Sequence, residues 1–121
     1  MIQIKDLGFS YGEKIVLKDI TMTLEEGRIY GLLGENGVGK TTLLTLLCGI
    51  KKVKAGSIDI DGHNPYDREP SILGDLYYLS DEVPAMNMKA VEYAGNFGRF
   101  WESFDMDKFV EVMGVLETDP Q

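Results

Sequence analysis

Gly34-Glu35-Asn36-Gly37-Val38-Gly39-Lys40-Thr41-Thr42 sets out a glycine, four residues, and then Gly-Lys-Thr. Before it runs Arg28-Ile29-Tyr30-Gly31-Leu32-Leu33, an apolar stretch of strand length. After it runs Leu43-Leu44-Thr45-Leu46-Leu47-Cys48, apolar at helical spacing. Glycines so placed let the backbone turn with its N–H groups facing inward, a nest for phosphate oxygens. A helix starting there aims the positive end of its dipole at the same anion. Lys40 sharpens the reading, because a cation in the first helical turn opposes that dipole and needs a second negative charge. A β- or γ-phosphate supplies it. Phosphate binding is therefore assigned to Gly34, Glu35, Asn36, Gly37, Val38, Gly39 and Lys40. Thr41 offers a hydroxyl to Mg2+, and Thr42 reaches the α-phosphate. A Gly-rich turn that matches by accident is the competing reading, and the flanking strand and helix patterns weigh against it.

A chain of 121 residues is one domain by length and can bury a core. The formal net charge of -8 and pI near 4.5 argue against a nucleic-acid partner, which normally requires a basic face. Cys48 is the single cysteine, so it cannot form an internal disulfide, and it reads as a small buried apolar residue. The apolar run Leu43 to Ile50 is too short to span a bilayer. Met1-Ile2-Gln3-Ile4-Lys5-Asp6 lacks the long apolar region of a signal peptide. The expectation is a cytoplasmic protein that meets a membrane only through a partner subunit.

Ile2 and Ile4 alternate with polar residues as in a half-buried strand. A turn is expected around Tyr11-Gly12-Glu13-Lys14, then a second strand with Ile20, Met22 and Leu24 on one face. The helix from about Gly39 to Cys48 is apolar nearly all round and should be buried. Lys51, Lys52 and Lys54 suit a helix C-terminus and need no ligand. Ile58 and Ile60 alternate toward a turn at Asp61-Gly62, a loop carries Pro65 and Pro70, and a strand is expected over Asp75 to Leu79. Further on, Asn87 is expected to cap a helix, with Met86 and Val91 as its hydrophobic staple. Its stripe is Ala90, Ala94, Phe97 and Trp101. A last helix is expected from Met106, with Phe109, Val110 and Met113 on one face and Gly114 closing it.

The phosphate loop alone does not choose among kinases, GTPases and ATPases. Gly8-Phe9-Ser10-Tyr11-Gly12, Val16-Leu17-Lys18-Asp19-Ile20 and Glu26-Gly27-Arg28-Ile29-Tyr30-Gly31-Leu32-Leu33-Gly34-Glu35-Asn36-Gly37 together resemble the start of an ABC-type ATPase. Ala55-Gly56-Ser57-Ile58-Asp59-Ile60-Asp61-Gly62 and Leu76-Tyr77-Tyr78-Leu79-Ser80 extend that resemblance. Asn87-Met88-Lys89-Ala90-Val91-Glu92-Tyr93 and Phe97-Gly98-Arg99-Phe100-Trp101 look most like exporters with separately encoded membrane subunits. The resemblance implies an α/β fold of the P-loop NTPase class, with an antiparallel β subdomain, part of a mainly parallel core sheet and a helical tail. It divides the chain into a β-rich base-side region (1–33 and 55–62), the phosphate loop and helix (34–50), a strand and Q-loop equivalent (75–83) and the start of a helical region (86–121). It implies ATP and Mg2+ as ligands, a second ATPase subunit and a membrane-spanning subunit as partners.

Tyr11 matches the family's aromatic that stacks on adenine, and stacking suits an exposed aromatic; the alternative is a strand-end Tyr covering the core edge. Asn36 matches a position facing the γ-phosphate and the partner subunit, or is simply a turn residue. At the family's Mg2+-touching Gln stands Asp81, beside Glu82. Asp81 could bind Mg2+ as a hard oxygen ligand or belong to a solvated acidic loop. His63 reads as a solvated loop residue. The family's Ser-Gly-Gly signature, its strand ending in Asp-Glu and its switch His find no match by Gln121, so the general base is unknown. The chain reads as the N-terminal half of an ATPase domain, expected to bind ATP without useful turnover. A GTPase would carry an Asn-Lys-x-Asp segment, which is absent. A non-hydrolytic module that pairs with a complete ATPase domain is the alternative.

Overall fold

The structure, a computed structural model, describes residues 1–82 and 86–118. They fall into two compact units, Met1–Tyr78 and Leu79–Gln121. In the first, β1 (Ile2–Tyr11) and β2 (Lys14–Leu24) form an antiparallel hairpin about Gly12-Glu13, and β3 (Ala55–Ile60) pairs antiparallel on the other side of β1. The sheet order is β2-β1-β3, which is the antiparallel β subdomain that the resemblance implied.

Both hairpin strands switch parity. Ile4 is buried at an even position, whereas Leu7 and Phe9 are buried at odd ones. A strict period of two would put one set in water. Asp6 resolves the conflict by adopting a left-handed φ of 48° at a break in register between Ile4 and Leu7. Asp19, with φ of 49°, plays the same part in β2, between buried Leu17 and half-buried Ile20. Such bulges leave a backbone group unpaired, and the Asp6 N–H finds the Thr21 hydroxyl at 2.9 Å.

The helix after the phosphate loop, α1 (Lys40–Leu47), buries Thr42, Leu43, Thr45 and Leu46. Leu43 and Leu46 join Ile4, Leu7, Phe9, Leu17, Ile58, Ile60 and Ile72 in one core cluster. Each fully buried aliphatic side chain there contributes roughly 1.5–3 kcal/mol. The all-round burial expected of this helix is corrected at Leu44, which is 42% exposed. The segment expected to be a loop around the two prolines is short helix: a 3-10 turn at Pro65–Asp67 and α2 (Pro70–Leu73). Each starts on its proline, whose fixed φ and missing N–H suit a first helical position.

Strands were expected over Arg28–Leu33 and Asp75–Leu79, and neither stretch joins the sheet. Ile29 is fully exposed and Leu33 nearly so, while Leu79 is 72% exposed. A parallel strand needs neighbours on both edges and cover on both faces, and among the described residues neither run is paired as a strand, although Leu76 packs against the core cluster. Residue 83, the last of the strand and Q-loop region, lies outside the described residues.

The second unit contains α3 (Ala90–Phe97), a 3-10 turn at Gly98–Phe100 and α4 (Met106–Val115). The cap of α3 is Lys89 rather than Asn87, because Glu92 in the first turn reaches back to accept the Lys89 N–H at 3.2 Å. Met86, one place of the expected staple, is 47% exposed, and with the cap at Lys89 it no longer sits at the position just before the cap. Asp105 caps α4 by accepting the Lys108 N–H at 3.0 Å. Phe109 and Met113 are half-buried, whereas Val110 is exposed. Gly114 sits inside α4, which ends one residue later; the left-handed residue beyond it is Glu117, not glycine. Residues 119–121 of the helical region lie outside the described residues.

Candidate functional site

Residues Asn36 to Gly39 turn the chain into α1 through left-handed glycines, Gly37 with φ of 86° and Gly39 with φ of 107°. Gly39 is required twice over. Its φ excludes ordinary side chains, and a Cβ would lie 2.8 Å from Val16 Cγ1, 2.9 Å from Leu17 Cδ2 and 3.1 Å from the Val16 carbonyl. The start of α1 therefore packs directly on β2. No side chain caps this helix, and its first turn holds no acidic residue. Its leading N–H groups and positive dipole end remain available to an anion.

Lys40 opens the helix and folds back over the loop. Its Nζ donates to the Gly34 carbonyl and, at 2.7 Å, to the Glu35 carbonyl. The ammonium is thus held at the loop rather than extended into solvent. Glu35, Asn36 and Val38 are exposed, as is the Thr41 side chain. Thr42 is buried, and its hydroxyl shares a hydrogen bond of 3.4 Å with the Tyr11 hydroxyl. The structure thus brings Tyr11, at the end of β1, against the first turn of α1. Tyr11 remains 47% exposed, with Phe9 packed edge-on at 5.0 Å between ring centroids.

The Tyr11 phenol is held below the ordinary tyrosine range, chiefly by the Thr42 hydroxyl and then by Lys51. Lys51 Nζ stands over the Tyr11 ring, 5.0 Å from its centroid. Lys54 Nζ stands 5.2 Å over Phe9 and donates to the Ser10 carbonyl at 2.6 Å. Lys52 Nζ lies 5.8 Å from the Tyr66 centroid. The basic run after α1 is therefore a row of cations, each set over an aromatic ring. Sequence reasoning gave these lysines to the helix dipole and missed their partners, which come from elements far away in the chain.

Asp81 is exposed in the second unit, and the neighbouring Glu82 N–H donates to the Ser80 hydroxyl at 3.2 Å. Cys48 is half-buried, and burial pushes its thiol up, which fits an unreactive packing residue. His63 is partly exposed, as a loop residue should be, but it is paired: its Nδ1 lies 2.9 Å from Glu69 Oε2. A cleft of about 700 Å³ opens beside that pair, over Lys5, Ser57 and Asp59 of the sheet, away from the phosphate loop.

The sequence profile of the ABC transporter family matches residues 17–119. The ABC transporter ATP-binding protein YtrB of Bacillus subtilis is 37% identical over 118 residues, covering 97% of this chain and 40% of that protein. A ribose import ATP-binding protein, RbsA of Caldanaerobacter subterraneus, is 32% identical over 114 residues, covering 89% of this chain and 23% of that protein. Among solved structures, an ABC transporter ATP-binding protein from Pyrococcus furiosus superposes with a TM-score of 0.80 at 27% identity, over 99% of this chain and 59% of that one. The chain thus spans half or less of the length of the curated relatives it matches. Since the profile match runs from β2 through the phosphate loop to the end of α4, the chain belongs to the ABC transporter family, as part of its ATP-binding component.

Proposed function

We propose that the loop from Gly34 to Thr42 holds the triphosphate of ATP, with the base on Tyr11. The whole protein would then be the subunit that couples ATP hydrolysis to transport. The carrying observation is the uncapped start of α1, entered through left-handed Gly37 and Gly39 with Lys40 folded over the loop. Loop N–H groups and the Lys40 ammonium would neutralise phosphate charge, and Asn36 would face the γ-phosphate. ATP and AMP titrations by calorimetry test this. A triphosphate site binds ATP at least tenfold more tightly, about 1.4 kcal/mol, and equal affinities would overturn the reading.

The Thr41 hydroxyl fits Mg2+, which is commonly held by one or two protein groups plus substrate phosphates and water. Among the described residues there is no cluster of three or more His, Cys, Asp or Glu that could hold a metal. When bound, Mg2+ neutralises charge on the phosphates. Asp81 is proposed as a further oxygen ligand. Asp81→Asn should raise the Mg2+ concentration needed for tight ATP binding by about two- to fivefold, the scale of an exposed charge pair. Binding in the presence of EDTA should not change. Superimposable Mg2+ titrations would return Asp81 to a solvated acidic loop.

A base platform predicts that Tyr11→Ala weakens ATP and GTP alike, by about fivefold, at the lower end of base–aromatic stacking energies. Tyr11→Trp should be nearly silent. A loss confined to ATP would point instead to hydrogen bonding at the base edge.

The proposed assembly includes a second ATPase subunit and a membrane-spanning subunit, a reading supported by the match to the ABC transporter family; no helix among the described residues is long and apolar enough to cross a membrane. Its place is the cytoplasmic membrane face. The net charge of -8 argues against a nucleic-acid partner. The export reading rested on the helical tail alone, and a ribose import protein matches over 89% of this chain. The proposal is accordingly for transport without a direction. The family match favours this ATPase reading over a non-hydrolytic pairing module.

A further inference from the structure

We infer that Lys51 is a positioning residue for nucleotide binding, acting through Tyr11 by fixing the ring as a platform for the base. The inference rests on the proposed role of Tyr11 and goes beyond it by naming what holds the ring. A tyrosine at a strand end with 47% of its surface exposed would ordinarily sample several side-chain rotamers. Here three contacts oppose that freedom. Phe9 packs edge-on at 5.0 Å, the Thr42 hydroxyl meets the phenol at 3.4 Å, and Lys51 Nζ stands 5.0 Å from the ring centroid. Lys51 is itself aimed by the chain, since its N–H and that of Ile50 both donate to the Thr45 carbonyl, at 3.2 and 2.9 Å, just past the end of α1. Lys54 fixes the same strand end by donating to the Ser10 carbonyl.

A cation over an aromatic face is worth about 0.5–1 kcal/mol where solvent reaches it. Lys51→Met keeps the length of the side chain and removes the charge. ATP affinity should then fall about two- to fivefold, while Lys51→Arg stays near the parent. Inorganic tripolyphosphate, which has no base, should bind both proteins equally. In a Tyr11→Ala background, Lys51→Met should add nothing. Tyrosine labelled with 13C at the hydroxyl-bearing carbon gives a readout without nucleotide: removing Lys51 should raise the Tyr11 titration midpoint, because a neighbouring cation favours phenolate.

Equal weakening of ATP and tripolyphosphate would make Lys51 a phosphate contact and overturn its positioning role. So would an undiminished effect in the Tyr11→Ala background, or an unmoved Tyr11 titration. If Tyr11→Ala alone leaves ATP affinity unchanged, the base platform fails and the inference falls with it. That result is read from a different variant and so is distinguishable from failure of the Lys51 step.

Discussion

Lys40→Ala should weaken ATP binding by about ten- to a hundredfold, the range expected when a hydrogen-bonding partner of a charged group is lost. The fold should be nearly untouched. Among the described residues the ammonium donates to the Gly34 and Glu35 carbonyls, both on the exposed loop, so deleting it spares the core cluster. The check is calorimetry for affinity beside a thermal melt for stability. Parent-like affinity would remove Lys40 from the site. A collapse of the melt would mean that the lysine holds the loop rather than the ligand.

The second large effect concerns stability. Gly49→Ala should destabilise the first unit by about 3 kcal/mol, from the left-handed backbone and a forced clash together. Gly49 ends α1 with φ of 65°, its N–H donating to the Leu46 carbonyl at 3.1 Å. A Cβ there would fall 2.0 Å from the Pro65 carbonyl oxygen. That neighbour is backbone, so nothing flexible can give way. Urea unfolding should show a lower midpoint with an unchanged slope. An unfolding free energy within about 0.5 kcal/mol of the parent's would show that the Gly49–Pro65 approach is looser than the structure has it.

The loop was legible because its glycines, lysine and threonines report a purely local geometry. Its neighbours were harder to read. Tyr11 could be placed by resemblance, but Lys51 beside it depends on where β1 meets the end of α1, which no local pattern records. The bulges at Asp6 and Asp19 were hidden for a related reason. A switch in alternation looks like the end of a strand, and so β1 and β2 read as shorter than they are. Asn87 was preferred as a cap on intrinsic preference, yet Glu92 draws the helix start to Lys89. The apolar runs at 28–33 and 75–79 have the composition of strands, but a strand also needs partner strands, and among the described residues neither run joins the sheet.

The insertion of the loop and α1 between β2 and β3 has a kinetic consequence. The β1–β2 hairpin closes through two residues, on the scale of a few microseconds. β3 must instead find Ile2, Gln3, Ile4 and Lys5 after the excursion of residues 25–54, and that longer closure carries the larger entropy cost. Until β3 arrives, Ile58 and Ile60 are missing from the cluster that buries Leu43 and Leu46, and α1 lacks part of its apolar cover. The proposed nucleotide site is accordingly expected to mature only after β3 has docked, and a nucleotide that bound the finished form alone would draw the population toward it as its concentration rises.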